Sequence, residues 1–228
     1  MPTAMDERRR DRRGVISAKA GRAPAAAPLP VARVHEAGDL VGRALADDSW
    51  AAVALPRAAR RTRGALARLG LGIVQYGLRH GEVWATAGAL DGVAIWLPPD
   101  GPGAAARRPA RDVRLATSLG LTVGESWRFL RAWRSLETAR RRGTPEPHWH
   151  LAALAVNPTR RGAGVEEMVL APVLARADAT GQSCALVSLR ARSVLTLTER
   201  GFVVVAEGPL PAVGVTCWTL RRSPAIRV

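Results

Sequence analysis

A strand, a glycine-containing loop and a helix follow one another between His148 and Thr180. The run Leu151–Val156 is apolar throughout, which is typical of a strand that is covered on both faces. Asn157 and Pro158 end this strand, because proline cannot donate a hydrogen bond to a sheet ladder. The next segment predicts a helix, since its apolar residues recur at helical spacing: Val165, Met168, Val169, Val173 and Leu174.

The loop between this strand and this helix is a predicted anion site. Its residues are Arg161, Gly162, Ala163 and Gly164. The first main-chain N–H groups of a helix have no partner within the helix, and the helix dipole favours negative charge at that end. A buried strand that leads into such a loop therefore indicates a ligand that carries a diphosphate group.

The segment Arg161–Glu166 resembles motif A of the GNAT (GCN5-related N-acetyltransferase) superfamily, which reads Gln/Arg-x-x-Gly-x-Gly/Ala. The resemblance extends from Val31 to Arg222. Other pieces similar to the family occur in the family's order: Leu45–Asp48 at the end of its first helix, Gly81–Trp84 and Gly92–Pro99 in its second and third strands, and Glu199–Phe202 before its sixth strand.

This resemblance implies an α/β (α+β) fold with a central mixed, mostly antiparallel, twisted sheet of about seven strands. Helices flank that sheet, and its fourth and fifth strands splay apart. The implied reaction is transfer of an acetyl group from acetyl-CoA to an amine. In the family, pantetheine binds the fourth strand and pyrophosphate binds the loop amides. The implied cofactor-binding residues are Leu154, Ala155, Val156, Arg161, Gly162, Ala163, Gly164, Val165 and Glu166, with the Arg161 side chain free to pair with a phosphate.

Two positions depart from the family pattern. Glu166 stands where the family usually has Gly or Ala; it either repels phosphate or faces solvent in the first helical turn, where an acid suits the dipole. The family often has Asn-x-x-x-Tyr before a Gly-Phe pair, and its tyrosine can protonate the leaving thiolate. Ser193 and Leu197 occupy those positions here. Leucine has no proton to give, which implies another proton donor, a slow enzyme or no catalysis.

Candidate catalytic residues follow from the same segment. His150 begins the fourth strand, and an imidazole titrates near neutral pH, so we hypothesise that it is the general base. Ser193 could relay a proton through water, although its hydroxyl could equally be a helix N-cap. Thr198 also carries a hydroxyl in this region. Asp47 and Asp48 could hold a cationic acceptor, or they could simply be charged residues at the end of a helix.

Composition suggests one basic domain preceded by a leader. The 228 residues carry a net charge of +15, of which residues 1–22 contribute +4. We expect residues 1–28 to be a disordered Arg/Ala/Pro-rich leader and residues 29–224 to be the acetyltransferase domain. The basic surface could attract nucleic acid, anionic membrane or CoA. It could equally reflect the arginine-rich composition of an actinobacterial-type, GC-rich genome.

Several classes of protein are not favoured by the sequence. No apolar run approaches the ~20 residues that span a bilayer. The N-terminus lacks the apolar core of a signal peptide, so a cytoplasmic location is expected. Cys184 and Cys217 are predicted to be small buried side chains, and the histidines and cysteines lack the spacing of metal ligands.

The remaining periodicity predicts the other elements of the sheet and its helices. The segment Glu125–Leu136 alternates aromatic and basic residues, with Trp127, Leu130, Trp133 (or Arg134) and Leu136 on one side. This pattern would suit a membrane or RNA surface, but we favour an amphipathic helix that packs on the sheet. Predicted strands are Val31–His35, Val83–Ala87, Gly92–Leu97, Cys184–Ser188, Phe202–Ala206 and Val215–Leu220. Predicted helices are Ala37–Asp48, Arg57–His80 with a bend or break at its glycines, Val113–Arg142 in two pieces, and a short helix capped by Ser193.

Three functions remain open at this point. The first is an acetyl-CoA-dependent N-acetyltransferase with an unidentified small-molecule or protein amine as acceptor. The second is a catalytically degenerate relative that binds acyl-CoA or a partner, which Leu197 and Glu166 favour. The third is a basic nucleic-acid-associated protein, which is the least expected because it depends on charge alone. The sequence does not predict an oligomeric state.

Overall fold

The structure, a computed structural model, describes residues 25–46, 49–55, 63–99, 121–144, 147–210 and 214–225. The strands are β1 (Ala26–Pro28), β2 (Glu82–Thr86), β3 (Gly92–Leu97), β4 (His148–Val156), β5 (Ser183–Ser188), β6 (Val203–Pro209) and β7 (Thr216–Arg222). The helices are α1 (Val34–Ala46), α2 (Ser49–Ala54), α3 (Arg63–His80), α4 (Val123–Gly143), α5 (Val165–Ala179) and α6 (Ala191–Thr198).

The seven strands form one mixed sheet in the order β1-β2-β3-β4-β5-β7-β6. All neighbouring strands are antiparallel except β4 and β5, which run parallel. A parallel pair needs a crossover, and α5 supplies it between β4 and β5. The predicted sheet of about seven mostly antiparallel strands is confirmed.

The sheet has a hydrophobic core on each face, because successive strand residues point to opposite sides. In β3, Val93 and Ile95 face one core, whereas Ala94 and Trp96 face the other. Helices α1 to α4 cover the first face with residues such as Leu40, Trp50, Leu69 and Phe129. Helices α5 and α6 cover the second face with Val169, Leu170, Val173 and Leu197. Cys184 and Cys217 are buried as predicted, and burial raises the pKa of the Cys184 thiol to about 12.

The N-terminal part differs from the prediction. Val31–His35 is not a strand: Val31–Arg33 forms a short 3-10 turn, and α1 starts at Val34. Val31 is 85% exposed, so an extended segment there would gain no apolar burial. The first strand is instead Ala26–Pro28, which pairs with β2. The boundary of the leader at residue 28 is therefore too late, since β1 belongs to the sheet.

Helix α4 packs on the sheet as predicted, but one side chain points the other way. Phe129, Ala132 and Ala139 are buried against the first core, and Leu136 packs against it. Trp127, predicted on the same side as Leu136, is 65% exposed. The predicted first half of this helix, and Asp47 and Asp48, lie outside the described residues. No helix of the described part is long and apolar enough to cross a membrane.

Helix α3 is continuous from Arg63 to His80, so the bend or break predicted at its glycines is not a break, and the predicted start at Arg57 lies outside the described residues. The reason is close packing against α1. A Cβ added at Gly70 would overlap the carbonyl oxygen of Gly38 and lie 2.5 Å from the backbone nitrogen of Gly42. These glycines therefore let two helix backbones approach each other, and this packing offsets the low helix propensity of glycine.

We expect Gly70→Ala to lower the free energy of unfolding by about 2–3 kcal/mol, because the new methyl group meets backbone atoms that cannot move aside alone. Gly124→Ala is the matched control, since a Cβ there meets nothing within 4 Å. That control should leave stability unchanged or raise it by up to about 1 kcal/mol. Urea unfolding of both variants measures this, and equal effects would contradict the packing argument.

Candidate functional site

Strands β4 and β5 are paired over only a short stretch. Their parallel pairs are His148 with Ser183, Trp149 with Cys184, and His150 with Ala185. From residue 151 to 156, β4 has no partner in β5, although both strands continue. Main-chain polar groups on that edge of β4 need another partner. The predicted splay between the fourth and fifth strands is thus present, and it begins directly after His150.

A β-bulge in β4 lies at the start of this splay. Ile95 of β3 pairs with Ala153, and Trp96 pairs with Leu151, so Ala152 is an extra residue. A bulge bends its strand and changes the direction of the edge that follows. Here the bulge comes immediately after the last pair with β5. The bulge therefore bends the second half of β4, which carries Leu154, Ala155 and Val156, so that it no longer pairs with β5.

Hydrogen bonds to Asp91, the residue before β3, fix the start of the loop after β4. The Asn157 backbone N–H donates to the Asp91 carbonyl oxygen (2.7 Å), and the Asn157 side chain donates to the Asp91 carboxylate (3.1 Å). The Asn157 amide oxygen also accepts from the backbone N–H of Thr159 (3.3 Å). Asp91 precedes β3 and was not predicted from the sequence, because its partner lies 66 residues away.

Two glycines give the loop its shape. Gly162 and Gly164 have φ values of +77° and +75°, a conformation that residues with a side chain rarely adopt. Space around both is open, since a Cβ at either position would have no neighbour within 4 Å. A ligand that contacts the main chain needs such open space beside the backbone. The two glycines of the predicted motif are therefore explained by conformation.

The loop presents unpaired N–H groups at the N-terminus of α5. Among the described residues, the main-chain N–H groups of Arg161, Gly162 and Gly164 donate to no backbone acceptor. Val165 and Glu166 begin the helix, and their N–H groups lie in its first turn. The positive end of the helix dipole adds to these donors. This arrangement can bind a phosphate or diphosphate without any particular side chain.

Glu166, the first departure from the motif, is half-buried in the first turn of α5. Within the described part of the chain its carboxylate makes no ion pair or side-chain hydrogen bond. The Glu166 carboxylate therefore accepts no hydrogen bond from the unpaired amides of the loop. An acidic side chain in the first turn is favourable for the helix itself.

Adjacent arginines at the loop have different environments. The Arg160 guanidinium is paired with the Asp91 carboxylate, at 3.3 Å. Arg161 is exposed and has no ion pair among the described residues. The Arg161 side chain is therefore the one available to an anionic ligand, as the resemblance implies.

His150 lies where β4 and β5 separate. Its Nδ1 is 3.3 Å from the Ala185 carbonyl oxygen. A carbonyl oxygen only accepts, so Nδ1 carries the hydrogen and Nε2 keeps its lone pair. Burial, followed by the positive charge of Arg140, lowers the pKa of His150 to about 3. His150 is thus a neutral imidazole at physiological pH, with Nε2 able to accept a hydrogen bond.

A polar network lies behind His150 on the same face of the sheet. Arg140 donates through Nη1 to Nε2 of His148 (2.8 Å) and makes two hydrogen bonds with the Glu137 carboxylate (2.9 and 2.6 Å). The ring centroids of His148 and His150 are 6.3 Å apart. Thr144 is within 3.4 Å of the same His148 nitrogen. The sequence pattern did not single out Arg140 and Glu137, whose only signal was their spacing of three residues on α4.

The region of the missing tyrosine contains no comparable acid. Leu197 is only 5% exposed and packs in the core below α6, so its position belongs to the interior. Ser193 is not a helix cap, because α6 begins at Ala191 and Arg190 is the N-cap residue. The Thr198 hydroxyl donates to the Leu195 carbonyl oxygen (2.8 Å). The described residues contain no cluster of three or more His, Cys, Asp or Glu that could hold a metal ion.

The predicted cofactor-binding residues are contiguous in the chain: Leu154, Ala155 and Val156 lie in the half of β4 that does not pair with β5, and the others form the loop and first turn of α5 that follow it. His150 is six residues from Val156, which places it ~20 Å down the strand from the loop. Ser193, in contrast, lies on a separate helix that follows β5. The structure brings together the nine predicted cofactor residues and puts His150 at the far end of the same strand.

Comparisons with known proteins agree with this geometry. The sequence matches no protein-family model and no curated protein sequence. The structure is similar to a histone acetyltransferase HPA2 and related acetyltransferase from Corynebacterium glutamicum (21% identity, 90% of this chain and 98% of that chain, TM-score 0.62). It is also similar to polyamine N-acetyltransferase from Drosophila melanogaster (16% identity, 87% of this chain and 98% of that chain, TM-score 0.56). A third similar structure is a putative acetyltransferase of the GNAT family from Desulfovibrio desulfuricans (16% identity, 89% of this chain and 100% of that chain, TM-score 0.51).

These similarities cover nearly the whole of each compared chain, although the sequences have diverged far. They establish that the chain adopts the GNAT fold. The Corynebacterium and Drosophila structures carry the name acetyltransferase, and the Drosophila enzyme catalyses the formation of N-acetylagmatine.

Proposed function

We propose that this protein belongs to the GNAT superfamily and transfers an acetyl group from acetyl-CoA to an amine. The observation that carries the proposal is the early end of the β4–β5 pairing beneath a loop of unpaired amides. The splay leaves a strand edge for an extended amide-containing chain, and the loop binds a diphosphate. The proposed location is the cytoplasm.

The residues present fit coenzyme A. Gly162 and Gly164 form an open cradle. The N–H groups of Arg161, Gly162 and Gly164, with those of Val165 and Glu166 in the first turn of α5, would bind the diphosphate, and the Arg161 side chain would pair with a phosphate. Leu154, Ala155 and Val156 offer main-chain groups to the pantetheine part. When bound, acetyl-CoA supplies the thioester that is attacked. A main-chain N–H on the free edge of β4 is placed to polarise the thioester carbonyl.

The near-neutral pKa on which the general-base hypothesis for His150 depended is not found, because burial lowers it to about 3. His150 is instead the proposed hydrogen-bond acceptor that orients the amine or a bridging water through its Nε2 lone pair, and the proton passes on to water. The amine must therefore reach the site in its neutral form. Ser193 remains a candidate donor to the departing thiolate, because the structure gives Leu197 no such role.

His150→Ala is expected to lower kcat by about 100-fold or more, within the range of general acid–base effects, and to leave the affinity for CoA unchanged. Thiol release from acetyl-CoA measures kcat, and calorimetry measures the affinity. Ser193→Ala serves as a parallel variant, with a smaller expected loss. Unchanged turnover in His150→Ala with intact CoA binding would remove this residue from the mechanism.

Arg161→Ala is expected to weaken CoA binding about 10- to 100-fold, because a charge-assisted hydrogen bond to phosphate is lost. Arg160→Ala is the matched control, since the Arg160 side chain is already paired with Asp91. Its loss should change the affinity by less than about threefold, as expected of an exposed ion pair. Calorimetric titration with CoA compares the two. Equal losses of CoA affinity in the two variants would mean that any positive charge near the loop favours binding, whether or not its side chain is already paired.

A degenerate acyl-CoA-binding relative is the second candidate. Leu197 favours it, because a buried leucine stands where the family has its proton donor. Both candidates predict CoA binding, so calorimetry with acetyl-CoA tests them together. Thiol release across a panel of amines, beginning with agmatine and polyamines, then separates them. Absence of CoA binding would overturn both.

A further inference from the structure

Arg140 is a buried cation beside the candidate site. Its side chain is only 9% exposed, and it lies near the end of α4, where this helix meets the start of β4. A buried guanidinium is stable only where acceptors, including a carboxylate, replace the water that it has lost. Glu137, one turn earlier, accepts from Nε and Nη2 of Arg140 and so supplies the compensating charge.

A third contact joins Arg140 to the first histidine of β4. Nη1 of Arg140 lies 2.8 Å from Nε2 of His148, and both residues are buried. Guanidinium nitrogens donate and do not accept, so Nε2 of His148 carries a lone pair and the ring hydrogen is on Nδ1. A proton added at Nε2 would point an N–H group at a cation. The contact therefore holds His148 as an uncharged ring of one tautomer.

His150 has the same tautomer and lies two residues further along β4. Its Nδ1 donates to the Ala185 carbonyl oxygen, and its ring centroid is 6.3 Å from that of His148. The charged and titratable groups that act on this ring are Arg140, Glu137 and His148. After burial, the positive charge of Arg140 is the largest cause of the lowered pKa of His150, and the Glu137 carboxylate opposes it. One guanidinium thus acts on both rings.

We propose that Arg140 is a positioning residue, which acts through His148 and keeps the two β4 histidines uncharged while the acceptor amine is bound. The lone pair at Nε2 of His150 then stays available to the amine in mildly acidic solution. The proposal rests on the proposed function for what the histidines do, but the state of both rings can be measured without any substrate. Arg141 gives the matched comparison, since it also pairs with Glu137 (2.8 Å) but is 51% exposed.

Nuclear magnetic resonance of the histidine rings in the full chain tests the proposal, because nitrogen shifts report the tautomer and charge of each ring. In the wild-type protein we expect both β4 rings to be Nδ1–H tautomers that bind no further proton between pH 7.5 and pH 5.5. In Arg140→Met, His148 should take a second proton at about pH 6.5, because the opposing cation is gone and the Glu137 carboxylate remains. Arg140→Lys keeps a positive donor and should restore the wild-type titration, and Arg141→Met should not change it.

Thiol release with the fastest amine of the panel described above is the second readout. In the wild-type protein, Arg140→Lys and Arg141→Met, kcat/KM should fall on acidification only as the neutral fraction of the amine falls. In Arg140→Met it should fall a further ~10-fold by pH 5.5, as protonation of a group with a pKa of about 6.5 requires. An ion pair with a merely structural role would lower stability without this change in pH dependence.

Protonation of His148 above pH 5.5 in the wild-type protein would overturn the proposal. An Arg140→Met variant that keeps the wild-type tautomers and the wild-type pH profile would overturn it as well. If Arg140→Met fails to fold, the wild-type spectra and those of Arg140→Lys decide the matter. Absence of thiol release with every amine would instead overturn the proposed function, and the ring titrations would still decide whether Arg140 sets the state of the two rings.

Discussion

Asp178→Ala is expected to lower the free energy of unfolding by about 3 kcal/mol, the lower end of the cost of leaving a buried charge without its partner, because the pair keeps some exposure. The Asp178 carboxylate accepts hydrogen bonds from Nη1 (2.7 Å) and Nη2 (2.8 Å) of Arg222, and from the backbone N–H of Ala225 (2.8 Å). The two side chains are only 17% and 14% exposed. This pair joins the end of α5 to the last strand, and the Asp178 hydrogen bonds raise the pKa of Arg222.

Denaturant unfolding of the wild-type protein and the variant measures this loss. Asp39→Ala is the matched control, because Asp39 is exposed and has no ion pair in the described structure. It should change stability by less than about 0.5 kcal/mol. A loss near 1 kcal/mol for Asp178→Ala would indicate that water reaches the pair and that it behaves as a surface ion pair.

Stability is expected to fall by about 2 kcal/mol between pH 7 and pH 5 because of His150 alone. Burial lowers the pKa of this residue from 6.5 to about 3. Between those two pH values His150 binds a proton in the unfolded chain but not in the folded chain. Acid therefore favours unfolding in this window, and the stabilising contribution is fully present only above pH 6.5. Most carboxylates remain ionised down to pH 5, so their contribution is small there.

His150→Gln should remove this component, so that the difference in stability between pH 7 and pH 5 shrinks by about 2 kcal/mol. The measurement is denaturant unfolding of both proteins at each pH. His35→Gln is the control for the loss of a histidine as such, since His35 is exposed at the start of α1, and the comparison of the two variants isolates the effect of burial at His150. An identical slope for the wild-type protein and His150→Gln would mean that the folded state binds a proton at His150 in this range.

Local sequence patterns predicted the part of the fold that contains the candidate site. The apolar run of β4, the Asn157-Pro158 stop and the two loop glycines are short-range signals, and each has a structural cause that acts within a few residues. The hairpin of β2 and β3 was predicted for the same reason. The splay came from the family resemblance, because a single strand's sequence does not show where its neighbour stops.

The errors have a common physical origin. Val31–His35 looks like a strand by composition, yet the edge of β2 is filled by the less apolar segment Ala26–Pro28. Ser193 is a good N-cap residue, yet α6 begins two residues earlier, at Ala191, with Arg190 as its N-cap residue. In each case a preference of well under a few kcal/mol was outweighed by packing against distant elements.

The sequence by itself determined the strand–loop–helix unit, because glycine conformation, helix capping and hydrophobic period depend on neighbouring residues. Only the tertiary structure decided which residues meet across the fold. Asp178 and Arg222 are 44 residues apart, and the loop brace between Asp91 and Asn157 spans 66. The outward side of Trp127 was likewise decided by which face of α4 the sheet covers. Such contacts form when distant segments pack together, and no local pattern encodes them.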